Sequence, residues 1–358
     1  MGNTLALKAA ILILFSIYIF VAGFSYTALV VNDEFASIIS LYTRVFLLAL
    51  MLLLIFLKGS LGKIELYFLI FSAFFLITMN PFLIIMAFMI LPGIIFADFI
   101  NNKQAIKITI GASILSFSSI FLLSHFNLIE SKVLMDDSEF TLSNLRQTYG
   151  FNNPNAASMY IAQILMVSIV YKNKLLSFFI FLFFLWLTFS TGSRTPLYAV
   201  VFFIFLIYLS KYNFFLPFIR YGALIFICII PLIIIFFIAN GIWVYSNIDF
   251  NHLLTYRLSI AQSLYSEVGG LSLLPSYSSE FVDSGYANIL LNGGFLVYLL
   301  FFIFSYLYLK IENNRYFFCL FVVFLLILIS ETFITGNLIF SILLISRSIY
   351  LLNKRLPI

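Results

Sequence analysis

The chain has 358 residues, of which 63% are hydrophobic and only 9% charged, with a net charge of +5. Soluble domains carry roughly 25% charged residues, so this chain cannot solvate its own surface and a soluble enzyme is excluded. In a membrane protein, basic residues are topology signals first, so the positive balance implies no nucleic-acid partner.

Met1 to Lys8 lead into an apolar run of over twenty residues. A cleaved signal peptide has an apolar stretch of about 7–15 residues, so this one reads as an uncleaved first span. A spanning helix needs about 20 apolar residues. By that measure the pattern predicts an all-α, polytopic integral membrane protein of about twelve spans. These run over 6–31, 36–57, 65–79, 82–100, 108–128, 154–171, 175–190, 195–210, 221–240, 287–309, 316–333 and 337–352. Only Asn80-Pro81 divides the third from the fourth, leaving a hairpin or a broken helix as readings. No repeat and no linker divides the chain, so residues 1–358 read as one membrane domain with outer loops at about 129–153 and 241–288.

The loops carry the sign of topology. With the amino terminus inside, the inner connections hold Lys58, Lys63, Lys103, Lys107, Lys172, Lys174, Lys211, Arg220, Lys310 and Arg315, and Lys354 and Arg355 fall on the same side. The outer side holds Asp33, Glu34, Glu130, Asp136, Asp137, Glu139, Asp249, Glu267, Glu280 and Asp283. Lys/Arg bias marks the cytoplasmic face, so both termini are expected there. Four basic residues break the bias: Lys132, Arg146, Arg194 and Arg257. Three are arginines, whose planar fork suits phosphate or carboxylate better than a lysine's point charge does.

Three polar stretches sit on that outer side. Asn144 to Ser158 contains Arg146, Tyr149 and an Asn-Pro turn, with Asn152 or Asn153 as helix cap, Pro154 in the first turn and Asn155 just inside. Ser190 to Pro196 is a tight turn with Gly192, Ser193 and Arg194 before a helix expected to open at Pro196. Helix N-termini at both places favour an anion, although ordinary turns and headgroup-bound arginines explain them equally well. The third stretch, 241–288, opens at Tyr256-Arg257 a run with Leu254, Leu258, Ala261, Leu264 and Tyr265 at helical spacing, which puts Arg257 on an amphipathic helix lying at the interface. It ends at Asp283-Ser-Gly-Tyr286, and Gly293-Gly294 follows near the start of the tenth span.

Titratable groups able to act as a base are few: His252 and Asp283 in the long loop, and Glu331 near the outer end of the eleventh span. His125 reads as structural. Arg44 and Arg347 lie within spans and pair or snorkel. Cys228 and Cys319 sit in apolar runs without CxxC or His/Cys spacing, so neither a disulfide framework nor a metal site is expected.

The sequences Gly150-Phe-Asn-Asn-Pro-Asn-Ala156 and Thr191-Gly-Ser-Arg194, then a large outer loop ending Asp283-Ser-Gly-Tyr286 and Gly293-Gly294, resemble the Wzy-type O-antigen and capsular polysaccharide polymerases and their relatives, the O-antigen ligases. The resemblance spans roughly 140–300. It implies a GT-C-like glycosyltransferase of the bacterial cytoplasmic membrane, using neither cofactor nor metal. Such an enzyme moves a growing glycan from undecaprenyl diphosphate onto a lipid-linked oligosaccharide repeat unit at the outer face. Membrane lipids, a flippase and a chain-length regulator are the implied partners. Arg146, Arg194 and Arg257 match the family's diphosphate-binding arginines. His252 is a loose match to the ligase histidine.

The residues support the same chemistry on their own terms. A leaving diphosphate needs positive charge, and a sugar hydroxyl needs a base, for which His252, Asp283 and Glu331 are candidates. Tyr149, Tyr256 and Tyr286 stack on sugars or sit in the interfacial aromatic belt, and Asn153, Asn155 and Ser193 line the turns. Three other readings remain: an O-antigen ligase-like transferase, a transporter or flippase for lipid-linked sugars, and a structural assembly protein. Transporters usually carry internal repeats and midplane ionisable groups, which are sparse in this chain.

Overall fold

The computed structural model describes residues 2–58, 61–135, 145–241, 244–245, 248–249, 257–276, 282, 284–329 and 339–355. Its body is helical. In order come α1 (Gly2–Phe24), α2 (Ala28–Asn32), α3 (Glu34–Lys58), α4 (Lys63–Ile77), α5 (Pro81–Phe96), a 3₁₀ turn (Ala97–Phe99) and α6 (Lys103–His125). Then follow α7 (Pro154–Val170), α8 (Lys174–Thr191), α9 (Arg194–Leu209), α10 (Phe215–Asn240), α11 (Arg257–Glu267), α12 (Gly285–Leu291), α13 (Gly294–Ile311), α14 (Arg315–Ile327) and α15 (Ile339–Arg355).

Among the described residues seven helical stretches are long and apolar enough to cross a membrane: Leu5–Phe24, Glu34–Leu57, Pro81–Phe99, Lys103–His125, Lys174–Thr191, Phe215–Asn240 and Gly294–Ile311. The protein is therefore a multi-pass membrane protein. Three further apolar helices, Pro154–Val170, Arg194–Leu209 and Arg315–Ile327, are shorter. Two of these, α7 and α14, are interior: almost every residue in them is buried. A helix apolar all round is expected to be enclosed by others, and these two are.

Two short antiparallel pairs accompany the helices, one within 129–153 and one within 241–288. β1 (Val133–Met135) pairs with β2 (Leu145–Gln147), with Leu134 opposite Arg146. β3 (Val244–Tyr245) pairs with β4 (Ile248–Asp249).

The helices start and stop where local chemistry dictates. Asn102, Asn153, Asn173 and Asn314 each cap the following helix through the side-chain oxygen. The Asn80-Pro81 division is a true break. Asn80 Oδ1 accepts from Leu83 N at 3.1 Å, which caps α5, and Met79 just before it has φ +53°. Proline at the first position of α5 cannot continue α4, so the chain turns.

By packing, the chain forms two compact units. The first comprises Met1–Tyr67, Leu91–Phe202 and Asn337–Ile358; the second comprises Phe68–Ile90 and Phe203–Gly336. In the first, α1 packs on α3 and α6, and α7 packs on α8, α6 and α15. In the second, α10 packs on α11, α12, α13 and α14. Of the two arginines expected within spans, Arg44 donates from Nε to Ser40 O at 3.2 Å, and Arg347 donates to Asn101 Oδ1 at 3.2 Å. Cys228 and Cys319 are both free thiols.

Candidate functional site

Within the first unit, the stretches 145–158 and 190–196 converge. The loop after β2 is pinned first. Ala28 N donates to Gly150 O at 3.0 Å, and Asn152 N donates to Tyr26 O at 2.8 Å. Gly150 has φ +82°, and a Cβ there would lie 2.9 Å from Ser124 Cβ, so only glycine fits this turn. Asn153 Oδ1 then accepts from Ala156 N at 2.8 Å, with Pro154 as the first residue of α7. Both the cap and the proline were expected from sequence.

The second stretch closes α8. Gly192 takes the left-handed conformation (φ +62°) and its N–H returns to Thr188 O. Ser193 N donates to the same carbonyl at 3.2 Å, and α9 opens at Arg194, two residues earlier than the expected Pro196.

Arg146 joins the two stretches. Its Nε donates to Thr191 O at 2.7 Å and its Nη2 donates to Asn155 Oδ1 at 3.0 Å. A second tie runs underneath, where the Ser158 and Thr191 hydroxyls meet at 2.5 Å with both side chains fully buried. The guanidinium thus satisfies a carbonyl at the C-terminal end of α8 and orients an amide in the first turn of α7. Arg194 follows three residues after Thr191 and is exposed, whereas Arg146 is half-buried. Ser193 is fully buried and its Oγ has no hydrogen-bond partner, and the same holds for Thr188 Oγ1.

Tyr149 lies beside this arrangement. Its ring stacks on Phe121 at 5.3 Å and leans on Trp186 at 5.6 Å. Its backbone has φ +50°, uncommon for a bulky residue. Stacking on two aromatics holds the ring in an aromatic cluster that continues through Phe117 and Phe183.

The second unit holds Arg257 and Tyr286. Arg257 is the first residue of α11, and Leu258, Ala261 and Leu264 are buried, as the helical spacing predicts. Tyr286 corrects an expectation. Its side chain is fully buried, its hydroxyl donates to Leu325 O at 2.9 Å and its ring packs edge-on against Phe301. It is a core residue with no free face for a sugar. It lies in the first turn of α12, capped by Ser284.

His252, Tyr256, Asp283 and Glu331 lie outside the described residues. His125 is exposed at the end of α6. Among the described residues no three His, Cys, Asp or Glu side chains cluster as a metal site. Sequence reasoning missed Thr191 and Ser158 as partners. Thr191 stood inside a singled-out motif, but its role is carried by a backbone carbonyl, which no residue type announces. The chain matches no family model, no curated protein and no solved structure.

Proposed function

We propose that the chain is a polysaccharide polymerase of the bacterial cytoplasmic membrane. It transfers a growing glycan from undecaprenyl diphosphate to a lipid-linked oligosaccharide repeat unit at the outer face. The carrying observation is the Arg146 bridge to Thr191 O and Asn155 Oδ1, which unites two turns that are far apart in sequence. The excess of arginine over lysine among outer basic residues supports the same reading. In this account the chain has twelve spans and both termini inside.

The reaction is a displacement at an anomeric carbon. The acceptor hydroxyl forms the new C–O bond, the bond to the diphosphate breaks, and the diphosphate departs with the electron pair. Arg194 meets the charge that develops on it, and Arg257, in the second unit, is a separate candidate for the same role. Arg146 contributes positive charge from a fixed position, because two of its donors are already engaged by the protein. The acceptor proton passes to a base, for which His252, Asp283 and Glu331 are the candidates.

The test is a deletion strain carrying wild type, Arg194→Ala or Arg257→Ala, with membrane insertion checked by blotting. The reading predicts single-repeat glycan and no ladder in both variants. Full-length polymer retained on the carrier would instead identify a ligase. Substrate counterflow in vesicles without glycosyl transfer would identify a transporter.

A further inference from the structure

Two loops of the second unit meet at one end of its helices. One, 210–214, joins α9 to α10; the other, 312–314, joins α13 to α14. Arg315 ties them together: its Nη2 donates to Asn213 Oδ1 at 2.8 Å and its Nη1 to Lys211 O at 3.4 Å. Arg220 adds a second tie, from Nη2 to Glu312 O at 3.4 Å. We propose that this end of the second unit binds the phosphodiester headgroup of an anionic phospholipid. Such a site requires no polymerase activity.

The first ground is charge. Four cations, Lys211, Arg220, Lys310 and Arg315, stand against one acid, Glu312. Glu312 is buried and serves its own loop: Oε1 accepts from Asn314 N at 2.7 Å, and Oε2 accepts from the Tyr308 hydroxyl at 3.4 Å. Among the described residues none of the four cations has a carboxylate partner. The arginines serve carbonyls and an amide instead. Lys211 Nζ lies 5.3 Å from the Tyr208 ring centre, and Lys310 Nζ lies 5.9 Å from that of Tyr306.

Arg220 is the sharpest case. It comes five residues after the first residue of α10, which places it about 7.5 Å along the helix. Its guanidinium sits 5.5 Å from the Phe318 ring centre, and its Nε is buried with no hydrogen-bond partner. A cation held within a crossing helix without a counter-charge is costly, and an anion from outside the chain removes that cost.

The second ground is depth. Phe215–Asn240 and Gly294–Ile311 are both long and apolar enough to cross a membrane. The place where the first begins and the second ends therefore lies at a bilayer surface. Tyr208, Tyr212, Phe214, Phe218 and Tyr221 flank the first loop and are exposed, and aromatic rings at crossing-helix ends sit at headgroup level. Further along the same helices the exposed residues Ile225, Ile229 and Ile303 are aliphatic, as contact with hydrocarbon requires.

The third ground is selectivity. Guanidinium forks match phosphate oxygens, and basic pockets between membrane helices suit anionic headgroups. A zwitterionic lipid brings its own cation to a site that already holds four. A free phosphate lacks the acyl chains that the exposed apolar face of α10 can contact.

The test reconstitutes the full chain in nanodiscs of equimolar phosphatidylglycerol and phosphatidylcholine. The protein is then released into mild detergent, and bound lipid is read by native mass spectrometry. Phosphatidylglycerol should be retained in preference to phosphatidylcholine. Its apparent affinity should fall about tenfold in Arg220→Gln and in Arg315→Gln, as loss of a charged hydrogen bond implies. Lys107→Gln, in the first unit, should leave it unchanged. If Arg220→Gln fails to fold by thermal denaturation, Arg315→Gln and Lys211→Gln, at exposed positions, decide. Equal retention of the two lipids overturns the proposal, as does wild-type phosphatidylglycerol affinity in the folded variants. Displacement of phosphatidylglycerol by inorganic phosphate, but not by chloride at equal ionic strength, would assign the site to a free phosphate and overturn the lipid reading.

Discussion

Arg146 and Thr191 are 45 residues apart, and the Nε of one donates to the backbone carbonyl of the other at 2.7 Å. The contact converts two unrelated-looking turns into one feature. It also assigns the arginine a constraint, because a guanidinium that serves two protein acceptors cannot swing freely onto substrate.

Arg146→Lys should therefore behave almost like Arg146→Ala. Lysine keeps the charge but cannot reach two acceptors from one planar fork. Hydrogen bonds from charged donors contribute roughly 1.5–3 kcal/mol, so a loss of about 2 kcal/mol is expected, together with loss of polymer. Thermal unfolding in detergent and a glycan ladder check both. A Lys variant with wild-type stability and polymer would remove Arg146 from the account.

Asn153 separates stability from chemistry. Asn153→Ala should cost about 1 kcal/mol through the lost cap on α7. Asn153→Asp restores the cap, but it brings a negative charge to the helix end proposed to face a diphosphate. The expected pattern is normal thermal stability with weakened polymerisation in the Asp variant. Equal polymer from Asp and wild type would mean the α7 terminus does not meet the anion.

Tyr286→Phe tests the correction made above. The lost hydroxyl bond to Leu325 O should cost about 1 kcal/mol and leave an unpaired carbonyl. Polymer length and acceptor preference should not change. A shift in acceptor preference at unchanged stability would return Tyr286 to the sugar site.

Gly294→Ala should destabilise the second unit by more than about 1 kcal/mol, because φ +75° disfavours alanine and its Cβ would meet Leu274 O. Limited proteolysis of the loop before α12, compared with wild type, reads the effect. Unchanged proteolysis would mean the segment 272–276 is not held by that contact.

Much of the architecture was readable from the chain because the bilayer imposes a simple length rule. The Asn-Pro signal placed the start of α7, with Asn152 or Asn153 as its cap, and the Leu258, Ala261 and Leu264 spacing placed α11. The break at Asn80-Pro81 was visible, but its consequence was not. Asn80 reaches Ser276 and Asn292, 196 and 212 residues away, and only tertiary packing creates such a bond. Tyr286 misled because an aromatic between a polar loop and a span reads as interfacial, and burial is set by neighbours that the local sequence does not contain. Arginine chemistry was legible as residue type, whereas the carbonyl that holds Arg146 was not.

The most direct measurement is reconstitution. Purified protein in nanodiscs, given a synthetic undecaprenyl-diphosphate repeat unit alone, should release undecaprenyl diphosphate and build a glycan ladder that Arg194→Ala abolishes. Consumption of no repeat unit by folded wild-type protein, or an identical ladder from Arg194→Ala, would contradict the account.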